Sequence, residues 1–586
     1  MRDRKLLGVL GLALMGLGVY RFRRQFLSRW LGLRPVRHKV VVQRGLQVTM
    51  QDGVCLATDH YAPVSKRLLP TILMRTPYGR SGSAGWSGLL PDFLAQRFAE
   101  RGYNVIVQDV RGRFDSQGEF DPFTYEVSDG RATLAWIEKQ NWFNGVLGMW
   151  GQSYLGYVQW AVAPGGPLYL KALVPAISGS QLSTLAWRDR AFSLDTLLHW
   201  LLHLETMHQA RGRGGALRLG KFSPRWQERQ IARAIKCLPI SQADEMATGK
   251  TAPFYQVWLE GPPEESPEEG GLYPKLDVQH VTAAVHLIGG WHDILLRETL
   301  YDYAALRKSG RQPYLTIGPW GHVDFECTWE SLRQGIDWFD AQLKGDHYSL
   351  RAAPVRVYVT GAEGWRDLES WPPLVQPERY FLHGSSDARG KRAGSLSRQG
   401  PEGDNPPTTY CYDPAHPTPA LGGALMSQHA GSYDNRSLES RPDVLTFTSA
   451  PLEQGLEIMG ETNLVLFARS SLEHTDFFAR LCDVHPNGRS MNICDGLLRL
   501  SPGRVAPQAD GSLRLELNLW PSAHRFQAGH RLRLQVSSGA HPRWNRNLGT
   551  GEPLRYATRM QSAQQEIFHD PEHCSVLILP VSGSGG

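Results

Sequence analysis

The sequence lacks the marks of several protein classes. Its seven cysteines (Cys55, Cys237, Cys327, Cys411, Cys482, Cys494 and Cys574) form no C-x-x-C pair and show no zinc-type spacing. An odd, scattered set does not suggest a disulfide framework, so they read as mostly buried small apolar residues. No internal repeat period is visible. Neither sign of charge dominates: the net charge is +6 over 586 residues. Much of that excess lies in the first 40 residues, where Arg2, Arg4, Lys5, Arg21, Arg23, Arg24, Arg29, Arg34, Arg37 and Lys39 face a single acid, Asp3. The remainder is close to neutral, which argues against a nucleic-acid partner, because such a footprint needs basic residues gathered on a folded face.

Long apolar runs are also missing. The one membrane signal is residues 6–20 (LLGVLGLALMGLGVY), a charge-free stretch shorter than the roughly 20 residues a spanning helix needs. A signal peptide fits the basic start and apolar middle, yet no A-x-A-like cleavage site follows. Arg21, Arg23 and Arg24 come instead, so basic residues flank both ends and give no clear orientation. Residues 1–35 therefore read as an uncleaved anchor ahead of a signal peptide, and the chain as membrane-anchored or exported ahead of cytoplasmic.

What is present is an ordinary globular balance, 41% hydrophobic and 20% charged, which excludes a largely disordered chain. The length exceeds what one hydrophobic core supports and predicts two or three units. Eighteen tryptophans suggest a well-filled core first and aromatic-lined pockets second. Residues 40–50 alternate and are rich in β-branched side chains; Asp52-Gly53 supplies a turn, and residues 54–61 form the hairpin partner. Short apolar runs at 71–75, 104–109, 146–150, 173–176, 284–289 and 314–317 alternate with helical patterns around 90–101 and 129–140. Such runs, bounded by Gly and Pro, suit strands buried on both faces of a parallel sheet, and the alternation predicts an α/β doubly wound fold.

Residues 182–279 differ. Helical segments at 194–204 and 226–238 precede a Pro- and Glu-rich loop (GPPEESPEEG, 261–270), and the region reads as a helical cap inserted into the catalytic domain, 40–181 and 280–347. From 353 to 582, short alternating segments (355–359, 380–382, 444–448, 462–468, 513–519, 532–536) separated by turn residues predict a β-sandwich or jelly roll.

The chemistry lies at strand ends. The strand at 146–150 runs into Gly151-Gln152-Ser153-Tyr154-Leu155-Gly156 and then a helix-compatible stretch. This is a nucleophile-elbow arrangement, one residue longer than the usual G-x-S-x-G. Serine needs a base that is itself held in place, and the expected chain order is Ser, acid, His. Asp293 follows the strand at 284–289 within GGWHD, and His322 follows the strand at 314–317 within GPWGH. His292 shares the loop of Asp293, with little room to bridge it to Ser153; His322 sits on a separate loop and can. An oxyanion hole would take the backbone N–H of Tyr154 and a group from the loop 76–80 (TPYGR), where Tyr78 offers a hydroxyl.

The segments TPYGR (76–80), QDVRGRFDSQGEF (108–120), GMWGQSYLGYVQW (148–160), GGWHD (289–293) and GPWGH (318–322), in that order, resemble the CocE/NonD hydrolases. That family includes cocaine esterase, α-amino acid ester hydrolases, cephalosporin acylases and X-Pro dipeptidyl-peptidases. Later segments (354–372, 475–499 and 521–553) resemble its jelly roll, so the likeness runs over roughly 40–580. It implies an α/β-hydrolase domain with a helical cap and a C-terminal jelly roll, with Ser153 as nucleophile, His322 as base, Asp293 as its orienter and Tyr78 and Tyr154 as oxyanion donors. It implies no metal or organic cofactor, and small-molecule ester, amide or short-peptide substrates. Carboxylic-ester or α-amino acid ester hydrolysis is the preferred activity and X-Pro dipeptidyl-peptidase the alternative. A reader of an amino terminus would need carboxylates near the site; Glu260, Glu264, Glu265, Glu268 and Glu269 read instead as a solvated loop. From another class, a non-catalytic carbohydrate-binding protein on this scaffold would have no need of all four side chains.

Overall fold

A computed structural model describes residues 24–82, 88–181, 183–209, 223–261, 276–384, 393–403 and 405–583. The apolar segment 6–20 and the acidic positions 264–269 lie outside them; among the described residues no helix is long and apolar enough to cross a membrane.

The chain forms an α/β-hydrolase domain carrying a helical cap, followed by a jelly-roll domain. The hydrolase sheet begins with β1 (Val40–Thr49), β2 (Cys55–Pro63), β3 (Leu69–Thr76), β4 (Asn104–Asp109), β5 (Phe143–Gln152) and β6 (Leu170–Ala176). A two-strand hairpin, β7 (Trp187–Arg188) and β8 (Ala191–Phe192), belongs to the cap. The sheet resumes with β9 (Ala284–His292), β10 (Tyr314–Gly321), β11 (Val355–Val359) and β12 (Gly364–Leu368). Its order is β1-β2-β4-β3-β5-β6-β9-β10-β11-β12. From β4 through β3 to β11 every neighbouring pair is parallel, so the loops leaving β3, β5, β9 and β10 open on one edge. All six residues of β4 are buried, as expected for a strand covered on both faces. On one face Phe98, Tyr103, Trp150 and Phe339 form an edge-to-face cluster with ring centroids 5.6–6.4 Å apart, sealed by the helix Phe325–Lys344.

Two expectations change. Residues 355–359 are not jelly roll: β11 pairs parallel with β10, and β12 closes that edge. The strand lies near the sheet edge with only alternate side chains buried, so its pattern matches that of a sandwich strand. The cysteines are mixed rather than mostly buried: Cys327, Cys482 and Cys494 are buried, Cys55, Cys237 and Cys574 are half-buried and Cys411 is exposed.

In the cap, the helix Leu194–Gln209 lies over the carboxyl edge of the sheet with ten of its residues buried. From Val375 onward eleven strands join in one continuous hydrogen-bonded sheet, which curls into the jelly roll. Its loop at Met426 donates a backbone N–H to Asp195 of the cap helix at 3.0 Å, so all three units meet above the sheet edge.

Candidate active site

Ser153 occupies the turn between β5 and the helix Tyr154–Trp160 at φ 53° and ψ −117°, a region costly for a residue with a Cβ and held only where the surroundings fix it. Its N–H donates to Ala176 O at 2.9 Å. Crowding explains the flanking glycines. A Cβ on Gly151 would come within 2.2 Å of Leu155 Cβ, and one on Gly156 within 2.3 Å of Ser178 Cβ. The longer spacing of the motif follows, because Leu155 stands where the usual second glycine would be and the tight approach passes to Gly156.

His322, on the loop after β10, places Nε2 2.9 Å from Ser153 Oγ and Nδ1 2.6 Å from Asp293 Oδ1. Asp293 is fully buried just past the end of β9. β10 lies three strands from β5, so the loop must turn back over the sheet. A register shift between Gly318 and Gly321 marks the bend. There Trp320 folds over the ends of both strands: a Cβ on Gly290 would sit 2.2 Å from Trp320 O, and one on Gly318 2.5 Å from its ring. Gly290 and Gly318 thus make room for one tryptophan, while Gly289 faces Ile317 and Gly321 faces Ala430. His292 is not part of this line. It is buried, with burial holding it down at about 4 among Asp495, Asp324, Arg543 and Arg480.

Tyr78 and Tyr154 complete the group. Tyr154 opens its helix, where backbone N–H groups lack an intrahelical partner. Its side chain is pinned away from the serine: the hydroxyl donates to Glu126 Oε1 at 2.7 Å and accepts from Phe123 N at 3.0 Å. Glu126 in turn pairs with the buried Arg75 at 2.6 Å. The Tyr78 hydroxyl faces Ser153 and accepts from Trp200 Nε1 at 3.2 Å. Burial raises the Tyr78 phenol, against the pull of Trp200, Ser153 and Arg113, so it stays a proton donor.

Several residues that sequence reasoning left without a role support this loop. Arg113 donates to Pro77 O at 2.8 Å and to Leu204 O of the cap helix at 3.0 Å. Burial brings it down to about 10, so it remains a cation at neutral pH. Arg80 is held by Asp59, Asp109 and Asp115 at 2.5–2.9 Å, and Arg111 by Asp52 and Asp129 at 2.6–2.7 Å. Within QDVRGRFDSQGEF, Asp109, Arg113 and Asp115 therefore brace the 76–80 loop, through Arg80 and Pro77. His203, beside Tyr78 at 5.5 Å between rings, is kept down at about 4 by burial first, then by Arg113 and His322, and stays neutral.

Ser153, His322 and Tyr78 open into a small cavity of about 30 Å³ lined otherwise by Phe123, Tyr154, Tyr157, Leu185, Thr196, Trp200, Ile294, Leu295 and Met426. Trp200 stacks on Phe123 at 5.6 Å and on Trp258 at 6.0 Å, giving the cavity a flat aromatic wall. No carboxylate lines it among the described residues. Glu260, one of the acids considered for amine recognition, is an exposed side chain paired with Arg555 at 2.8 Å.

The models for X-Pro dipeptidyl-peptidase (S15 family) and for the X-Pro dipeptidyl-peptidase C-terminal non-catalytic domain match residues 52–324 and 350–578. Two solved structures share the fold at 22% identity. They are an aminopeptidase from the marine sediment archaeon Thaumarchaeota archaeon (TM-score 0.73, covering 93% of this chain and 96% of that one) and an α-amino acid ester hydrolase (TM-score 0.70, 93% and 97%). Cocaine esterase of Rhodococcus sp. (strain MB1 Bresler) is 31% identical over 92% of this chain and 98% of its own length. With that likeness covering more than nine-tenths of both proteins, the chain belongs to the CocE/NonD family of serine hydrolases.

Proposed function

We propose that the chain is a carboxylic-ester hydrolase for uncharged, apolar acyl groups, with Ser153 as nucleophile, His322 as general base and acid, and Asp293 as the group that orients it. The observation that carries this reading is the unbroken hydrogen-bonded line Ser153–His322–Asp293 at the mouth of an aromatic cavity that no carboxylate lines among the described residues. Ser153 Oγ attacks the ester carbonyl carbon while His322 Nε2 takes its proton. The oxyanion forms between the Tyr78 hydroxyl and the Tyr154 N–H, each such donor being worth about 2.7–4 kcal/mol. His322 then gives the proton to the leaving alcohol, and the acyl-enzyme is opened by water through the same steps in reverse roles.

X-Pro dipeptide and α-amino acid substrates carry an ammonium that needs a buried anion, because an unpaired charge in such a cavity loses its hydration without compensation. The cavity offers aromatic and aliphatic side chains instead, which favours the neutral ester. A carbohydrate-binding scaffold would not need a serine held in strained geometry against a histidine and an aspartate.

A fluorophosphonate probe should label the chain and fail on Ser153→Ala, and p-nitrophenyl esters of aliphatic or aromatic acids should be turned over where Gly-Pro and Ala-Pro anilides are not. Rapid anilide cleavage would overturn the substrate reading; a folded wild type that resists the probe would overturn the mechanism.

A further inference from the structure

Three imidazoles converge on one buried carboxylate in the jelly roll, far in the chain from the catalytic loops. Asp483, fully inside near the end of the strand Thr475–Val484, has Oδ1 and Oδ2 2.8 and 3.0 Å from His530 Nδ1. Its Oδ2 lies 3.8 Å from His485 Nε2 and 3.3 Å from His524 Nε2. The rings of His485 and His530 are 4.5 Å apart, and the ligand atoms of Asp483, His485 and His530 all lie within 4.8 Å of one another. One carboxylate balances one imidazolium, so two further imidazoles exceed what an ion pair requires.

We propose that Asp483, His485 and His530 bind a divalent transition-metal ion, zinc in the first instance. Zinc takes imidazole nitrogen at about 2.0–2.1 Å and carboxylate oxygen at about 2.0–2.2 Å in tetrahedral geometry, which sets its ligand atoms about 3.4 Å apart. The separations of 2.8, 3.0 and 3.8 Å bracket that spacing. Both histidines are half-buried, so an ion has a way in. Metal binding needs neutral imidazole and ionised carboxylate.

The ligands stand on stiff backbone. His485 opens a tight hairpin, its N–H on Arg489 O and its carbonyl accepting from Gly488 N, both at 2.8 Å. His530 immediately precedes the strand Arg531–Ser537, whose Arg531 and Leu532 pair with Val484 and Asp483. His524 has the position of an outer support, with Nε2 toward Asp483 and Nδ1 2.8 Å from the hydroxyl of Thr360. Such partners orient a ligand and tune its affinity. Thr360 follows β11 of the hydrolase sheet, so an ion here fastens the jelly roll where the catalytic domain abuts it.

The test uses the full chain stripped with a chelator and titrated with zinc chloride, read by calorimetry and thermal denaturation. One equivalent should bind and Tm should climb with zinc concentration, while calcium and magnesium chloride leave it unmoved because imidazole donors suit neither. His485→Gln and His530→Gln should each weaken zinc binding by roughly tenfold or more and leave ester turnover intact. Substoichiometric uptake, or both variants binding like the wild type, overturns the site. Should either variant fail to fold, Thr360→Val keeps all three ligands. Weaker zinc binding there supports the site, and unchanged binding overturns it.

Discussion

Two lines of aspartate, histidine and hydroxyl run through this molecule. At the sheet edge, Asp293, His322 and Ser153 are linked at 2.6 and 2.9 Å. In the jelly roll, Asp483, His524 and Thr360 are linked at 3.3 and 2.8 Å. The order of residues is the same, but the ring nitrogens are exchanged and the surroundings of the hydroxyl differ. Thr360 Oγ1 is committed to the Ala523 carbonyl at 3.0 Å, and His524 is buried with Asp483 between other imidazoles. Ser153 sits on a strained turn facing a cavity, beside a phenol and a helix-opening N–H. An Asp–His pair is thus common structural furniture; on the proposed reading, a hydroxyl on a strained turn, two oxyanion donors and an opening onto a cavity make it chemistry.

Removing the hydroxyls separates the two lines most sharply. Ser153→Ala should lower kcat for a p-nitrophenyl ester by about 10⁶-fold, the scale on which loss of a triad member acts, whereas Thr360→Val should leave turnover alone. Equal effects would erase the distinction. The aspartates come next. Asp293→Asn should reduce kcat by about 10⁴-fold with the fold retained, because the amide favours the wrong imidazole tautomer. Asp483→Asn should keep kcat and lower Tm instead. A smaller effect belongs to the oxyanion side: Tyr78→Phe should cost about 10²–10³ in kcat. Trp200→Phe, which removes the donor that steadies Tyr78 and thins the wall stacked on Phe123 and Trp258, should cost roughly twofold to tenfold. Steady-state kinetics on folded variants, checked by circular dichroism, decide each.

How far these lines could be seen in the sequence follows from the same contrast. Ser153, Asp293 and His322 each stand just after a short apolar run, next to glycines that crowding around Leu155, Ser178 and Trp320 demands. Local pattern therefore carried both the strand and the residue at its end. Trp200 and Met426 line the cavity from the cap and the jelly roll, and only tertiary packing brings them there. Arg80 and Arg113 lie within two segments that carry the family likeness, yet their work as braces rests on carbonyls and carboxylates up to 91 positions away. The 355–359 strand was misread because a strand near a sheet edge alternates like one in a sandwich. Asp483, His485, His524 and His530 have no metal-motif spacing; strand register gathers them.

The two domains also differ in how they bury a lone aspartate, and pH exposes it. In the jelly roll, Asp495 is held by Arg480 and Arg543, which outweigh its burial and keep it below the ordinary carboxylate range. It adds stability as an anion, and that contribution fades as pH falls through its folded value. In the hydrolase domain, Asp302 is buried against Ser180, Oδ2 accepting the backbone N–H at 2.8 Å and Oδ1 2.5 Å from the hydroxyl. With no cation beside it among the described residues and Glu298 nearby, burial pushes Asp302 up to about 8. An unfolded aspartate titrates near 3.9, so between about pH 4 and 8 the folded chain holds a proton that the unfolded chain has released. Its stabilising effect is complete below that window and is lost as pH rises through it. Asp302→Asn keeps both contacts with Ser180 and removes the proton, so Tm measured from pH 5 to 8 should slope downward less steeply than in the wild type. A variant curve parallel to the wild type would mean that Asp302 is already ionised in the folded chain, and the contrast between the two aspartates would fall with it.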